Sequence, residues 1–224
     1  MLKGMGILDM VGPVMVGPSS SHTAGAVRLG WLARHVLGQR PKRVEFGLHG
    51  SFAETGEGHG TKKALLAGVL GLSPADARIR EAEELAKKEG LDYAFFEVEL
   101  GDVHPNTARI ALEADDERVV VYGSSLGGGL VKVWRVDRFE THLTGEAPAL
   151  LVKHVDTPGV IARVARVLAD DEVNIAHLTS SREKRGGEAM MSIEMDKPLS
   201  TPALDYLNHL SYIIWARPIP PVPT

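Results

Sequence analysis

Three histidines stand in stretches bordered by serine, glycine or proline, each beside a hydroxyl or amide side chain: His22 with Thr23, His59 with Thr61, and His104 with Asn106 and Thr107. An imidazole of ordinary pKa, ~6.5, exchanges protons close to neutrality and serves as a general acid or base. A hydroxyl two residues away can be activated by such a base, which makes His59 and Thr61, in a loop lined by Gly56, Gly58 and Gly60, the preferred pair. His104 and Asn106 suit orientation of a substrate or stabilisation of developing charge. The run Ser19, Ser20, Ser21, His22, Thr23 sets four hydroxyls behind Pro18, at the expected start of a helix. One serine suffices for an N-cap. The surplus, with free backbone amides and the positive end of a helix dipole, suits a small polar substrate carrying a carboxylate. A single loop histidine is more often structural than catalytic, so the set carries the reading. The same three histidines also fit a zinc hydrolase or lyase with an open fourth position, and the residue types alone leave both chemistries open.

Elements of regular spacing must position these residues. A helix carrying Val27, Trp31 and Leu32 is expected after the serine run, with Gly38 as its terminator. Arg43 to Gly50 alternates apolar and polar residues as a half-buried strand does, placing His49 at a strand end where it could line the same site. Thr61 opens a second helix through Leu70, and a charged helix follows from about Asp76 to Glu89. Strands are expected at Tyr93–Leu100, Arg109–Ala114, Val119–Ser124 and Leu130–Val136, with Gly127–Gly129 as a turn.

The C-terminal third reads β-α-β-β-α-β, the order of a ferredoxin-like sandwich. Its strands are expected at Leu150–Val155, Val173–Thr179, Ala189–Met195 and Tyr212–Ala216, with a charged turn at Glu183–Gly187. Thr157 with Pro158 and Thr201 with Pro202 look like an N-cap and a first helical residue, the second helix running to about His209. The proline-rich tail from Pro218 to Thr224 is expected to fray. The fold class is thus α+β: a mixed α/β domain over residues 1–145, then a ferredoxin-like domain over residues 148–224.

Composition narrows the function classes. The 224 residues carry 44% hydrophobic and 24% charged residues, ordinary globular values. The net charge of -4 is spread evenly, residues 148–224 holding 8 Lys+Arg against 9 Asp+Glu, so neither part offers the basic surplus that nucleic acid demands. Met1 to Val16 has one lysine and no sustained apolar run, which fits neither a signal peptide nor a membrane span and leads to the expectation of a cytoplasmic protein. Without cysteine the chain has no disulfide, no thiolate nucleophile and no iron-sulfur ligand of its own.

The stretches GPVMVGPSSSHTAGAVRLG (Gly12–Gly30) and GSFAETGEGHGTKKALLAGVLG (Gly50–Gly71), together with HPNT at His104–Thr107, resemble the beta chain of bacterial iron-sulfur L-serine dehydratases. The likeness covers essentially the whole chain. It implies that the first domain is similar to the allosteric substrate-binding fold of some phosphoglycerate dehydrogenases, and that residues 148–224 form an ACT domain. It implies a cysteine-rich alpha chain whose cysteines ligate a 4Fe-4S cluster, with one iron lacking a cysteine ligand, and a beta chain inactive alone. The implied reaction converts L-serine to pyruvate and ammonia, feeding central metabolism and gluconeogenesis. By the same resemblance His22, His59, Thr61, His104 and Asn106 are active-site residues, while Ser19, Ser20, Ser21 and Thr23 contact substrate or order the loop. Asp156, Thr157, Pro158 and Gly159 match the turn where ACT domains bind an amino acid, with Asn174 near the sheet edge. Pairing of ACT domains would give a homodimer, and with the alpha chain a heterotetramer. A non-catalytic serine sensor is the remaining alternative; it needs no partner chain.

Overall fold

The computed structural model describes residues 19–55, 58 and 60–223. It holds two compact units, one reaching to Lys132 and including Val222 and Pro223, the other Val133–Pro221. The α+β class expected from the sequence holds in both.

In the first unit a π-helical turn, Ser20–Ala24, runs into α1 (Gly25–Leu37). Helix α1 is buried nearly all round, Val27, Leu29, Trp31, Leu32, Val36 and Leu37 included. It stops at Gly38, whose φ of 76° is a left-handed conformation and whose N–H donates to Arg34 O at 3.1 Å. β1 (Arg43–His49) leads through Gly50 into a short helix, α2 (Ser51–Glu54), which was not expected within the glycine-rich stretch. α3 (Thr61–Val69) follows, then a 3₁₀ turn at Ala77–Glu81 and α4 (Ala82–Glu89), so the expected charged helix is two pieces. β2 (Asp92–Glu97), β3 (Thr107–Ala114) and β4 (Glu117–Gly127) follow. β1 lies parallel to β2 and antiparallel to β3, which pairs antiparallel with β4. The register His49↔Thr107 and Thr107↔Ser124 brings the end of β1, the start of β3 and the far part of β4 to one end of the sheet.

Helices α1 and α3 approach through bare backbone. A Cβ on Gly30 would lie 2.2 Å from Leu65 O, and one on Gly68 would lie 2.0 Å from Val27 O. Each glycine therefore faces the other helix's carbonyls, and Arg34 Nη1 donates to Val69 O at 2.8 Å to close the end of α3.

The second unit opens with the remainder of β5 (Leu130–Val136) and with β6 (Phe139–Leu143), joined as an antiparallel hairpin. The sandwich follows in the expected order: β7 (Ala149–Val155), α5 (Val160–Asp170), β8 (Ile175–Arg182), β9 (Glu188–Met195), α6 (Thr201–Asn208) and β10 (Ile213–Ile219). Its sheet is ordered β10-β7-β9-β8. Val160, Val164, Val167, Leu168 and Leu207 from the helices bury against Leu150, Val152, Met191, Ile193 and Met195. The other face of β9 carries Ser192 and Glu194, both buried, and β6 with Thr144 just after it supplies their partners. His142 N–H donates to Ser192 Oγ at 2.9 Å; Thr144 donates to Glu194 Oε1 through its N–H at 2.8 Å and its hydroxyl at 2.7 Å.

Three expectations are corrected. Helix α5 is capped by Gly159, φ 90°, and not by Thr157, because the left-handed turn delays helix entry by two residues. Helix α6 is capped by Ser200, whose hydroxyl accepts from Ala203 N–H at 3.4 Å, so Thr201 is its first residue. The tail does not fray from Pro218: Pro218 and Ile219 extend β10 opposite Leu150 and Ala149, and Val222 is buried. A proline is tolerated there because β10 is an edge strand and its missing N–H breaks no interior ladder.

Gly30→Ala and Gly68→Ala are each expected to destabilise the chain by about 1–3 kcal/mol, against the roughly 1 kcal/mol that alanine gains over glycine in a helix. Urea unfolding checks this; a rise in midpoint for either variant would refute the close backbone approach.

Candidate active site

The π-helical turn forms because Gly25 N–H reaches back five residues to Ser20 O, while Ser19 is its cap and accepts His22 N–H on Oγ at 3.2 Å. Such widened turns are frequent at functional sites. The wider turn points His22 away from the buried side taken by Thr23 and Ala24. Around the ring, Ser21 Oγ lies 3.0 Å and Ser19 Oγ 3.3 Å from Nδ1, and Ser51 Oγ lies 3.1 Å from Nε2. The buried Phe52 ring meets the imidazole edge-on, centroids 5.5 Å apart.

Ser51 is delivered by Gly50, whose φ of 54° and ψ of -127° are open to glycine but strained for other residues. A Cβ there would also sit 2.9 Å from Pro105 Cα, so the turn after β1 rests directly on the HPNT segment. Phe52 N–H donates to Pro105 O at 3.4 Å. The HPNT segment is tied in turn to β4: Ser125 N–H donates to Asn106 O at 2.9 Å, Thr107 Oγ1 donates to His104 O at 2.5 Å, and Thr107 and Ser124 hydroxyls meet at 2.7 Å. His104 is exposed, and Asn106 N–H donates to its Nδ1 at 3.1 Å. That bond makes Nδ1 an acceptor and leaves the ring proton of neutral His104 on Nε2.

The structure thus brings together the serine run, the Gly50–Phe52 turn and the HPNT segment. Ser19, Ser20, Ser21 and His22 are half-buried, within reach of a ligand; Thr23 is buried beneath the turn. Thr61, at the start of α3, is wholly buried and its Oγ1 finds no hydrogen-bond partner among the described residues. Its expected partner His59 lies outside the described residues. His49 faces the segment after β2 instead, with Nδ1 3.3 Å from Leu100 N and 3.6 Å from a Glu99 carboxylate oxygen. No group of three or more His, Asp or Glu residues able to hold a metal ion occurs among the described residues. Ser51 was missed by the sequence reading. Its one local signal was a serine directly after the glycine that ends a strand.

In the second unit Asp156, Thr157, Pro158 and Gly159 line an open groove of about 790 Å³ with Arg182, Arg185 and Gly186. Asp156 accepts from Arg182 Nη1 at 3.0 Å and Gly186 N–H at 3.1 Å, contacts that hold its carboxyl below the usual carboxylate range, the Gly186 amide contributing most. His154 lines the same groove; its Nδ1 lies 2.9 Å from Val155 O, and its buried Nε2 has no partner among the described residues. Asn174 is not among the groove's residues: it precedes β8 at the opposite end of the sheet, where its Nδ2 donates to Asp196 at 2.9 Å.

Fold and site together define a two-part α+β protein, an imidazole–hydroxyl cluster at a sheet end followed by a βαββαβ sandwich. The family model for the serine dehydratase beta chain matches residues 7–90, and that for the ACT domain matches residues 149–204. The chain is 42% identical over 213 residues to a probable L-serine dehydratase, beta chain, of Bacillus subtilis (strain 168), covering 95% of this chain and 97% of that one. It is 41% identical over 194 residues to the L-serine dehydratase, beta chain, of Peptoniphilus asaccharolyticus, covering 86% and 87%. A D-3-phosphoglycerate dehydrogenase of Methanocaldococcus jannaschii is 27% identical over 84% of this chain and 36% of its own length. The chain belongs to the L-serine dehydratase beta-chain family, and it carries an ACT domain.

Because the folded state holds Asp156 below its ordinary pKa, the ionised carboxylate stabilises the fold. That contribution is complete above the unfolded value, about 3.9, and is lost as pH falls through the lower folded value. Thermal melts of the wild type and Asp156→Asn are expected to differ by a constant amount down to about pH 4 and to converge below it. A difference independent of pH would show that the carboxylate contributes nothing through its charge.

Proposed function

We propose that this chain is the beta subunit of an L-serine dehydratase, an L-serine ammonia-lyase active only with a cysteine-rich alpha chain. Residues 1–145 form its substrate-binding-type domain and residues 148–224 its ACT domain. The observation that carries this reading is the convergence of Ser19, Ser21, His22 and Ser51 beside the HPNT segment, in a chain of this family.

The α C–H of L-serine is weakly acidic and hydroxide is a poor leaving group, so both ends of the reaction need assistance. Ser19, Ser20 and Ser21, with the amides of the turn, suit the carboxylate of the substrate. Thr23, buried below them, orders the turn. His22 or His59 takes the α proton, with Asn106 and the Nε2–H of His104 available to orient the substrate, while Thr61, wholly buried at the start of α3, is given no proton to move. Loss of the hydroxyl as water gives aminoacrylate, which tautomerises to the imine and hydrolyses to pyruvate and ammonia.

The chain has no cysteine, so its own residues do not fit a 4Fe-4S cluster as ligands. In this reading the alpha chain's cysteines hold the cluster, which would supply Lewis acidity toward a substrate oxygen. The steps assigned here use this chain's residues alone. No helix among the described residues is long and apolar enough to cross a membrane, which is compatible with a cytoplasmic enzyme. The groove at Asp156 and Gly159 is the place for a regulatory amino acid, Asn174 joining it only from a second copy paired through the ACT sheets, as a homodimer would allow.

Anaerobic pyruvate release from L-serine tests the proposal. The coexpressed pair is expected to be active and this chain alone inactive, and His59→Ala in the pair should lose about 10²-fold or more. A cluster-loaded pair that makes no pyruvate would refute the dehydratase reading in favour of a serine sensor.

A further inference from the structure

His22 holds hydroxyls at both ring nitrogens, Ser19 and Ser21 at Nδ1 and Ser51 at Nε2. A backbone carbonyl or amide on one nitrogen would fix the tautomer, as Asn106 N–H does for His104. A hydroxyl both donates and accepts, so each of these three hydroxyls can serve either neutral tautomer of His22. The ring can take a proton at one nitrogen and release one at the other without leaving either unpaired. In such an exchange Nε2 takes the Ser51 proton and Ser51 takes one from outside, while Nδ1–H passes its proton to Ser21, which releases its own. One proton enters, one leaves, and every group ends neutral.

Ser51 cannot drift from this position. Gly50 presses on Pro105 before it, and the wholly buried Phe52 anchors the chain after it. Ser51 itself stays half-buried, so its hydroxyl can exchange with solvent or ligand.

We propose that Ser51 is a positioning residue for the dehydration: its hydroxyl holds the Nε2 side of His22 and lets the ring exchange tautomers while protons move through the serine cluster. The role in the reaction rests on the dehydratase reading; the hydrogen bond does not.

Imidazole ¹⁵N spectra of the full chain, with His22 signals identified by their loss in His22→Gln, test the bond. Ser51→Ala is expected to shift the His22 nitrogens toward a single tautomer, and Ser51→Thr to keep the wild-type pattern, with both variants melting as the wild type does. In the coexpressed pair, Ser51→Ala should lower kcat about tenfold with KM within about threefold, and Ser51→Thr should recover most of the loss. Unchanged His22 signals in Ser51→Ala, or an unchanged kcat, would overturn the proposal. If the wild-type pair made no pyruvate the dehydratase reading would fall by itself, and the spectra would still decide whether Ser51 holds His22.

Discussion

The contact between Gly50 and Pro105 joins the parts of the site. With φ of 54° and ψ of -127°, Gly50 occupies backbone space that other residues enter only under strain, and a side-chain carbon there would overlap Pro105 at 2.9 Å. Because the glycine is bare, the end of β1 turns sharply onto the HPNT segment. Ser51 then reaches His22, Phe52 backs the imidazole, and the HPNT segment is itself fastened to β4 through Ser124 and Ser125. Three stretches separated by tens of residues thus share one sheet end through a single close approach.

A similar economy of space sets the layer beneath. The paired glycines of α1 and α3 remove two side chains from a helix crossing, so the helices pack backbone to backbone under the serine run. At the start of α1, Gly25 does the same against Ser125, whose Oγ would lie 2.0 Å from any added carbon. Small residues at these points let the backbone under the serine turn approach its neighbours closely.

The second unit solves a different problem. A ferredoxin-like sheet has one face under its helices and one face open, yet β9 is buried on both. Ser192 and Glu194 on the second face are polar, so covering them demands hydrogen bonds, and these come from the β6 backbone at His142 and from Thr144 just after the strand. Strand β6 was not expected from the sequence. Its residues Phe139–Leu143 alternate over only five positions around His142, too short a run to stand out from a linker, and its register is set by partners in β9 some fifty residues away.

By itself the sequence determined the order of most elements, α2 and β6 excepted, and the identity of the motif residues. Apolar periodicity along α1, α3, α5 and the sandwich strands, and glycine at Gly38, are local signals that no distant contact needs to complete. The serine run, the HPNT segment and the absence of cysteine were legible in the same way, because residue type alone carries their chemistry. Only the tertiary structure decided which hydroxyls meet which imidazole. It put Ser51 on Nε2 of His22, turned His49 toward Leu100 and Glu99, buried the Thr61 hydroxyl and left Asn174 at the far end of its sheet from Asp156. The physical reason is that hydrogen bonding acts over about 3 Å, whereas strand register and helix packing, which a residue pattern constrains only on average, move side chains by more than that.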